Sequence, residues 1–114
     1  MFYSPPEITV RDLARQIATD DNELQLIDVR EPEEINIAQI PGFIPLPLSQ
    51  FSQWNETIAV RFDPEAETIV LCHHGIRSAQ MVQWLIERGF SNVKNVTGGI
   101  DAYSRMVDRN IQRY

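Results

Sequence analysis

The chain has one cysteine, Cys72, and its position suits nucleophilic chemistry. Cys72 ends a β-branched apolar run that begins at Thr68, and a short polar segment, residues 73–77, separates it from an amphipathic stretch. Backbone N–H groups of a tight loop and of the first turn of a helix attract anions, and a thiolate is an anion. Cysteines in such surroundings ionise readily and act as nucleophiles near neutral pH. We therefore predict that Cys72 is a nucleophile rather than a small buried apolar residue.

Gly75 and the two histidines are the other notable residues of this segment. Gly75 has no Cβ, so it can take a positive φ and let the loop fold around the sulfur. His73 and His74 have two interpretations, which the sequence leaves open: a rim that gains positive charge near neutral pH and attracts anions, or two solvated loop residues. We expect no metal here, because adjacent residues such as Cys72, His73 and His74 face one ion with difficulty and no further cysteine or histidine exists.

Three charged residues are candidates for the same site. Asp28 and Arg30 lie at the end of a predicted strand, and Arg30 either faces an incoming anionic substrate or makes a structural ion pair. Arg77 ends the loop, and we favour a structural hydrogen bond from it to Asp28 or Glu31 over contact with substrate.

These residues must be positioned by alternating strands and helices. Strands are predicted at residues 24–29, 43–46, 68–72 and 93–96, the second at an edge, and helices at residues 10–17, from 31, 49–58, 78–85 and 100–107. Thr9 and Ser49 are predicted helix caps, residues 20–22 a turn, and Gly89 the end of a helix. Such alternation indicates a parallel sheet, and ligands of these sheets bind beyond the carboxyl ends of the strands. Cys72 and Asp28 both fall at that rim.

Size and composition restrict the class of protein. A chain of 114 residues suits one domain, residues 1–114, and 43% hydrophobic with 23% charged residues is typical of globular proteins. The net charge of −6 opposes nucleic-acid binding. No apolar run approaches the roughly 20 residues of a membrane span, and the N-terminus lacks the features of a secretory signal. We expect a monomer. We expect it in the cytoplasm, because a lone thiol suits a reducing compartment.

Four motifs in order resemble the rhodanese family. Cys72-x-x-Gly75-x-Arg77-Ser78 is similar to its active-site loop and Asp28-Val29-Arg30-Glu31 to its aspartate-x-arginine segment. Ile40-Pro41-Gly42 resembles its central turn and Gly98-Gly99-Ile100 its late double glycine, so that the resemblance spans roughly residues 8–103. It implies an α/β fold of three layers, in which a mostly parallel five-stranded sheet has helices on both faces.

The resemblance also implies an activity. Rhodanese-like enzymes move sulfane sulfur from thiosulfate or a persulfide donor to a thiol or cyanide acceptor through a cysteine persulfide, without a cofactor. By resemblance Cys72 carries the sulfur, and the surrounding site comprises His73, His74, Gly75, Ile76, Arg77, Ser78, Asp28 and Arg30. Related cysteine phosphatases have a loop one residue longer than the six residues from Cys72 to Arg77, which favours sulfur transfer. The alternative is a binding or sulfur-delivery module with little thiosulfate activity, and a protein is a candidate acceptor.

Overall fold

The computed structural model describes residues 4–19 and 23–114, and five strands and six α-helices alternate within these residues. The strands are β1 (Glu7–Ile8), β2 (Gln25–Asp28), β3 (Ile44–Pro45), β4 (Thr68–Leu71) and β5 (Val93–Val96). The helices are α1 (Val10–Thr19), α2 (Pro32–Ile37), α3 (Phe51–Trp54), α4 (Ile58–Arg61), α5 (Ile76–Glu87) and α6 (Gly99–Met106). The predicted turn at residues 20–22 lies outside the described residues.

The strands form one sheet in the order β1-β5-β4-β2-β3, and every pair of neighbours is parallel. This confirms the predicted parallel five-stranded sheet. The central strand β4 is buried along its whole length, as its unbroken apolar sequence predicts. Cys72 follows β4 directly, so its side chain lies at the carboxyl edge of the middle of the sheet.

Two apolar cores cover the two faces of the sheet. Alternate residues of β4 divide between them, because successive side chains of a strand point to opposite faces. Val70 and Cys72 pack with residues of α3, α4 and α5, whereas Ile69 and Leu71 pack with residues of α1 and α6. Cys72 therefore belongs to the face that α5 covers.

The helix predicted at residues 49–58 is interrupted, and Ser49 does not cap it. Short 3₁₀ turns, Leu48–Gln50 and Asn55–Thr57, precede and separate α3 and α4. Asn55 and Thr57 side chains bond to the carbonyl oxygens of Phe51 and Trp54. Such local bonds compete with a regular helix. Ser49 instead bonds to the carboxylate of Glu31.

Several predicted helix signals are confirmed. Thr9 caps α1 through a hydrogen bond from the Asp12 N–H to its hydroxyl, 3.1 Å long. Ser78, Met81, Val82 and Leu85 form the buried face of α5, and Gly89 takes φ +94° just beyond its end. In the part of the chain that the structure describes, none of the helices has the length and apolar character that a membrane span requires.

Candidate active site

Three hydrogen-bond donors converge on the sulfur of Cys72. The backbone N–H of Gly75 lies 3.1 Å from Sγ, and the N–H and hydroxyl of Ser78 lie 3.3 and 3.1 Å from it. Gly75 takes φ +99° at the N-terminus of α5, which the absence of a Cβ permits. Only 1% of Cys72 is exposed, as for an apolar core residue, but an apolar core would not offer three donors to one atom. This arrangement stabilises negative charge on sulfur.

The N-terminus of α6 holds the same loop from behind. The N–H groups of Ile100 and Asp101 donate to the carbonyl oxygens of Cys72 and His73, at 2.9 and 3.1 Å. Gly99, at φ +62°, lies so close that a Cβ built on it would be 2.5 Å from the Cys72 oxygen and nearer still to that of His73. The predicted double-glycine turn is thus also the surface against which the loop packs.

Asn95, in β5, connects two parts of the loop. Its Nδ2 donates to the carbonyl oxygen of Gly75 at 3.0 Å, and its Oδ1 accepts a hydrogen bond from the hydroxyl of Ser78. Asn95 is 4% exposed, so these contacts satisfy a buried amide. Asn95 is not among the predicted site residues. The only signal was an asparagine beside Val96 in a predicted strand, where a buried polar side chain needs hydrogen-bond partners.

Arg77 makes a bidentate ion pair, but with a different carboxylate from the two predicted. Its guanidinium donates to both carboxylate oxygens of Glu34 at 2.7 and 2.9 Å, whereas the prediction named Asp28 or Glu31. Glu34 stands in the first turn of α2 and also accepts the N–H of Glu31. The hydrogen bonds from Arg77 lower the pKa of Glu34 to about 2. The ion pair joins the active-site loop to α2.

Asp28 and Arg30 form a buried pair away from the surface. Arg30 is completely buried, and its guanidinium donates to both oxygens of Asp28 as well as to the carbonyl oxygens of Ala38 and Glu34. Of the two interpretations of Arg30, the structure has the ion pair. Its guanidinium N–H groups are all used within the protein, which leaves none for an incoming anion.

His73 differs from both interpretations of the histidine pair. Its ring lies between those of His74 and Tyr114, with centroid distances of 3.8 and 3.9 Å, and is nearly parallel to Tyr114. Burial, followed by the neighbouring His74, lowers the pKa of His73. The lowered pKa makes His73 a weaker source of positive charge than a solvated histidine, and its packed ring is not freely solvated. Tyr114 also accepts a hydrogen bond from Arg30 at 2.9 Å.

A third possible metal ligand, Asp101, joins the two histidines in space. Ligand atoms of His73, His74 and Asp101 lie within 4.8 Å of one another. The two imidazole rings are inclined by only 32°, so that their in-plane nitrogen lone pairs converge poorly on one point. Asp101 is already paired with Arg105 and Arg113, whose charges repel a cation. The geometry therefore disfavours a metal centre.

Curated relatives of the chain include sulfurtransferases. It is 53% identical over 93 residues to a chloroplastic rhodanese-like/PpiC domain-containing protein of Arabidopsis thaliana, covering 82% of this chain but only 31% of that relative. It is 30% identical over 92 residues to a thiosulfate sulfurtransferase of Vibrio cholerae, covering 81% of this chain and 83% of that relative. The second match spans most of both proteins.

A solved structure and a family model agree with these matches. The rhodanese-like domain protein of Staphylococcus aureus superimposes with a TM-score of 0.76 at 25% identity, covering 96% of this chain and 98% of that one. The rhodanese-like domain model matches residues 9–106, which contain Cys72, its loop and the N-terminus of α6 that packs against the loop. These matches show that the chain belongs to the rhodanese-like family, and the sulfurtransferases among its relatives support the sulfurtransferase class.

Proposed function

We propose that the chain transfers sulfane sulfur as a persulfide on Cys72, from thiosulfate or a persulfide donor to a thiol or cyanide acceptor. The observation that carries this proposal is the convergence of three donors, from Gly75 and Ser78, on one sulfur atom. The same donors favour the thiolate before the reaction and receive it again as the leaving group.

The proposed reaction has two displacements at sulfur. In the first, the Cys72 thiolate attacks the outer sulfur of thiosulfate, a new S–S bond forms, and sulfite leaves with the electron pair of the broken bond. The negative charge of the enzyme now resides on the terminal persulfide sulfur. In the second, cyanide or a thiolate attacks that terminal sulfur, and Cys72 leaves as the thiolate. Each step conserves charge and needs neither a metal nor a redox cofactor.

The residues around Cys72 have distinct roles in this proposal. His73, His74, Gly75, Ile76, Arg77 and Ser78 line the place where the terminal sulfur would lie. Arg77 contributes positive charge while Glu34 holds its guanidinium. Asp28 and Arg30 support the strand end from the interior, and Arg30 does not bind the donor in this proposal because its N–H groups already bond to Asp28, Glu34, Ala38 and Tyr114.

The acceptor and setting are also part of the proposal. Ile76 is 72% exposed in the active-site loop, which suits the docking of a protein thiol as well as a small one. We propose a monomer in a reducing compartment, with the cytoplasm as the first choice, because oxidation of the sole cysteine would stop the reaction. The chloroplastic location in the name of the Arabidopsis relative belongs to that protein.

The test is intact-mass measurement after incubation with thiosulfate. We expect a gain of one sulfur atom that cyanide removes and that Cys72→Ser abolishes. Gln83→Ser, an exposed change on α5, is the matched control and should gain the sulfur. An adduct from a small-molecule persulfide but not from thiosulfate would favour the delivery module. No adduct from either donor, or turnover of an aryl phosphate that depends on Cys72, would contradict the proposal.

A further inference from the structure

We propose that Asn95 is a positioning residue that competes with the Cys72 thiolate for the single hydroxyl proton of Ser78. This inference rests on the proposed function, because it gives Asn95, in the neighbouring strand β5, a role in forming the Cys72 persulfide. It says which acceptor the Ser78 hydroxyl faces when Cys72 is a thiol, a thiolate or a persulfide.

The orientation of the Asn95 amide is determined by its partners. The carbonyl oxygen of Gly75 can only accept, so the amide nitrogen of Asn95 must be the atom 3.0 Å from it. The amide oxygen then faces Ser78. Because that oxygen can only accept, the Ser78 hydroxyl must donate in this contact.

The Ser78 hydroxyl also lies 3.1 Å from the sulfur of Cys72. A hydroxyl has one proton and cannot donate it fully to two acceptors. When Cys72 is a thiol, the proton of Ser78 goes to Asn95, and the hydroxyl oxygen accepts the S–H. When Cys72 is a thiolate, the Ser78 hydroxyl donates its hydrogen bond to the charged sulfur, and the Asn95 oxygen loses its donor.

The persulfide returns the hydroxyl to Asn95. Once the sulfur of Cys72 bridges to a second sulfur, its charge has moved to the terminal atom and it becomes a weak acceptor. The proton of Ser78 then turns back to the amide oxygen of Asn95. Asn95 thus favours the thiol and the persulfide relative to the free thiolate, and it assists loading of the sulfur while opposing the resting anion.

The test is a double-mutant cycle read by the pH profile of Cys72 alkylation with iodoacetamide. The four proteins are the unmodified chain, Asn95→Leu, Ser78→Ala and the double variant. Removing the competing oxygen with Asn95→Leu should move the midpoint to lower pH by roughly 0.5–1 unit, as expected for one hydrogen bond. In the Ser78→Ala background the same substitution should produce no downward shift, because no hydroxyl proton remains to be shared.

The charged and titratable groups around the loop are the same in all four proteins. They are Arg77 and its partner Glu34 of α2, the loop residues His73 and His74, the buried pair Asp28 and Arg30, and Asp101 of α6. Asn95→Leu also removes the hydrogen bond to Gly75, but that loss is common to both backgrounds and cancels in the cycle.

The outcomes are distinct from those of the function test. An equal shift in both backgrounds, no shift in either, or an upward shift confined to the unmodified background would overturn the inference even if the persulfide forms. Conversely, the coupling does not require that thiosulfate be a donor. If circular dichroism shows that Asn95→Leu does not fold, Asn95→Ser replaces it, because serine is too short to reach Ser78 and removes the same acceptor.

Discussion

Adding one methyl group at Gly99 should damage the active-site loop without touching any side chain of it. A Cβ there would lie 2.5 Å from the carbonyl oxygen of Cys72, about an ångström inside ordinary contact, and closer still to that of His73. Both obstacles are backbone atoms, so no flexible side chain can move aside. The loop and the N-terminus of α6 must separate, which weakens the hydrogen bond from Ile100 to Cys72.

The expected effect of Gly99→Ala has two parts. A non-glycine residue at φ +62° costs about 1–2 kcal/mol, because its Cβ crowds its own carbonyl oxygen. Displacement of packed backbone adds about 2–3 kcal/mol, in the range of severe single substitutions. A shift of about 1 Å at a reacting atom is expected to slow its chemistry roughly 100-fold. We therefore expect a loss of about 3–5 kcal/mol in unfolding free energy and a correspondingly slow formation of the persulfide.

Gly89→Ala is the matched control. Gly89 also has a positive φ, +94°, but a Cβ there would meet nothing within 4 Å. This variant should lose only about 1–2 kcal/mol and load sulfur at the normal rate. Urea unfolding gives the stabilities, and intact mass after short exposures to thiosulfate gives the loading rates. Equal stability losses in the two variants, together with normal loading by Gly99→Ala, would refute the close-packing argument.

Two ion pairs give further predictions. Because Arg77 lowers the pKa of Glu34 to about 2, the pair stabilises the fold above pH 4.5, and its contribution falls as the pH approaches 2. Glu34→Gln should reduce the unfolding free energy by about 1–2 kcal/mol at pH 7 and by less at pH 3. The control is Glu33→Gln, at an exposed position of α2, and a destabilisation by Glu34→Gln that does not change with pH would contradict the prediction. Arg30→Met should cost about 3–5 kcal/mol in urea unfolding by leaving Asp28 buried and unpaired, and the double variant with Asp28→Asn should recover part of it. No recovery would show that the lost charge partner is not the cause.

Local patterns were sufficient to predict most of the fold. The apolar run of β4, the helical spacing of α5 and the caps at Thr9 and Gly89 each depend on residues close in sequence. The prediction of one helix from Ser49 was wrong, because side-chain hydrogen bonds to the backbone competed with the regular helix. Its apolar spacing favoured one helix, but side chains along the segment bonded to nearby backbone and divided it.

Contacts between distant segments account for what the sequence did not predict. The partner of Arg77 was misassigned because three acidic residues in and before α2 are chemically equivalent in sequence, and only the direction of the helix brings Glu34 within reach. Asn95 could not be connected with Ser78, since the sequence does not say that β5 lies beside β4. The role of Gly99 as a packing surface depends on the same adjacency.

The two helix N-termini at this site perform different tasks. The first turn of α5 directs the Ser78 N–H at the sulfur, where a charge develops. The N–H groups in the first turn of α6 donate to the neutral carbonyl oxygens of Cys72 and His73. These bonds fix the backbone of the loop without adding a donor at the sulfur. The loss of sulfur loading in Gly99→Ala would therefore arise from displacement of the loop, whereas Asn95→Leu would change which acceptor the Ser78 hydroxyl faces and remove one hydrogen bond to Gly75.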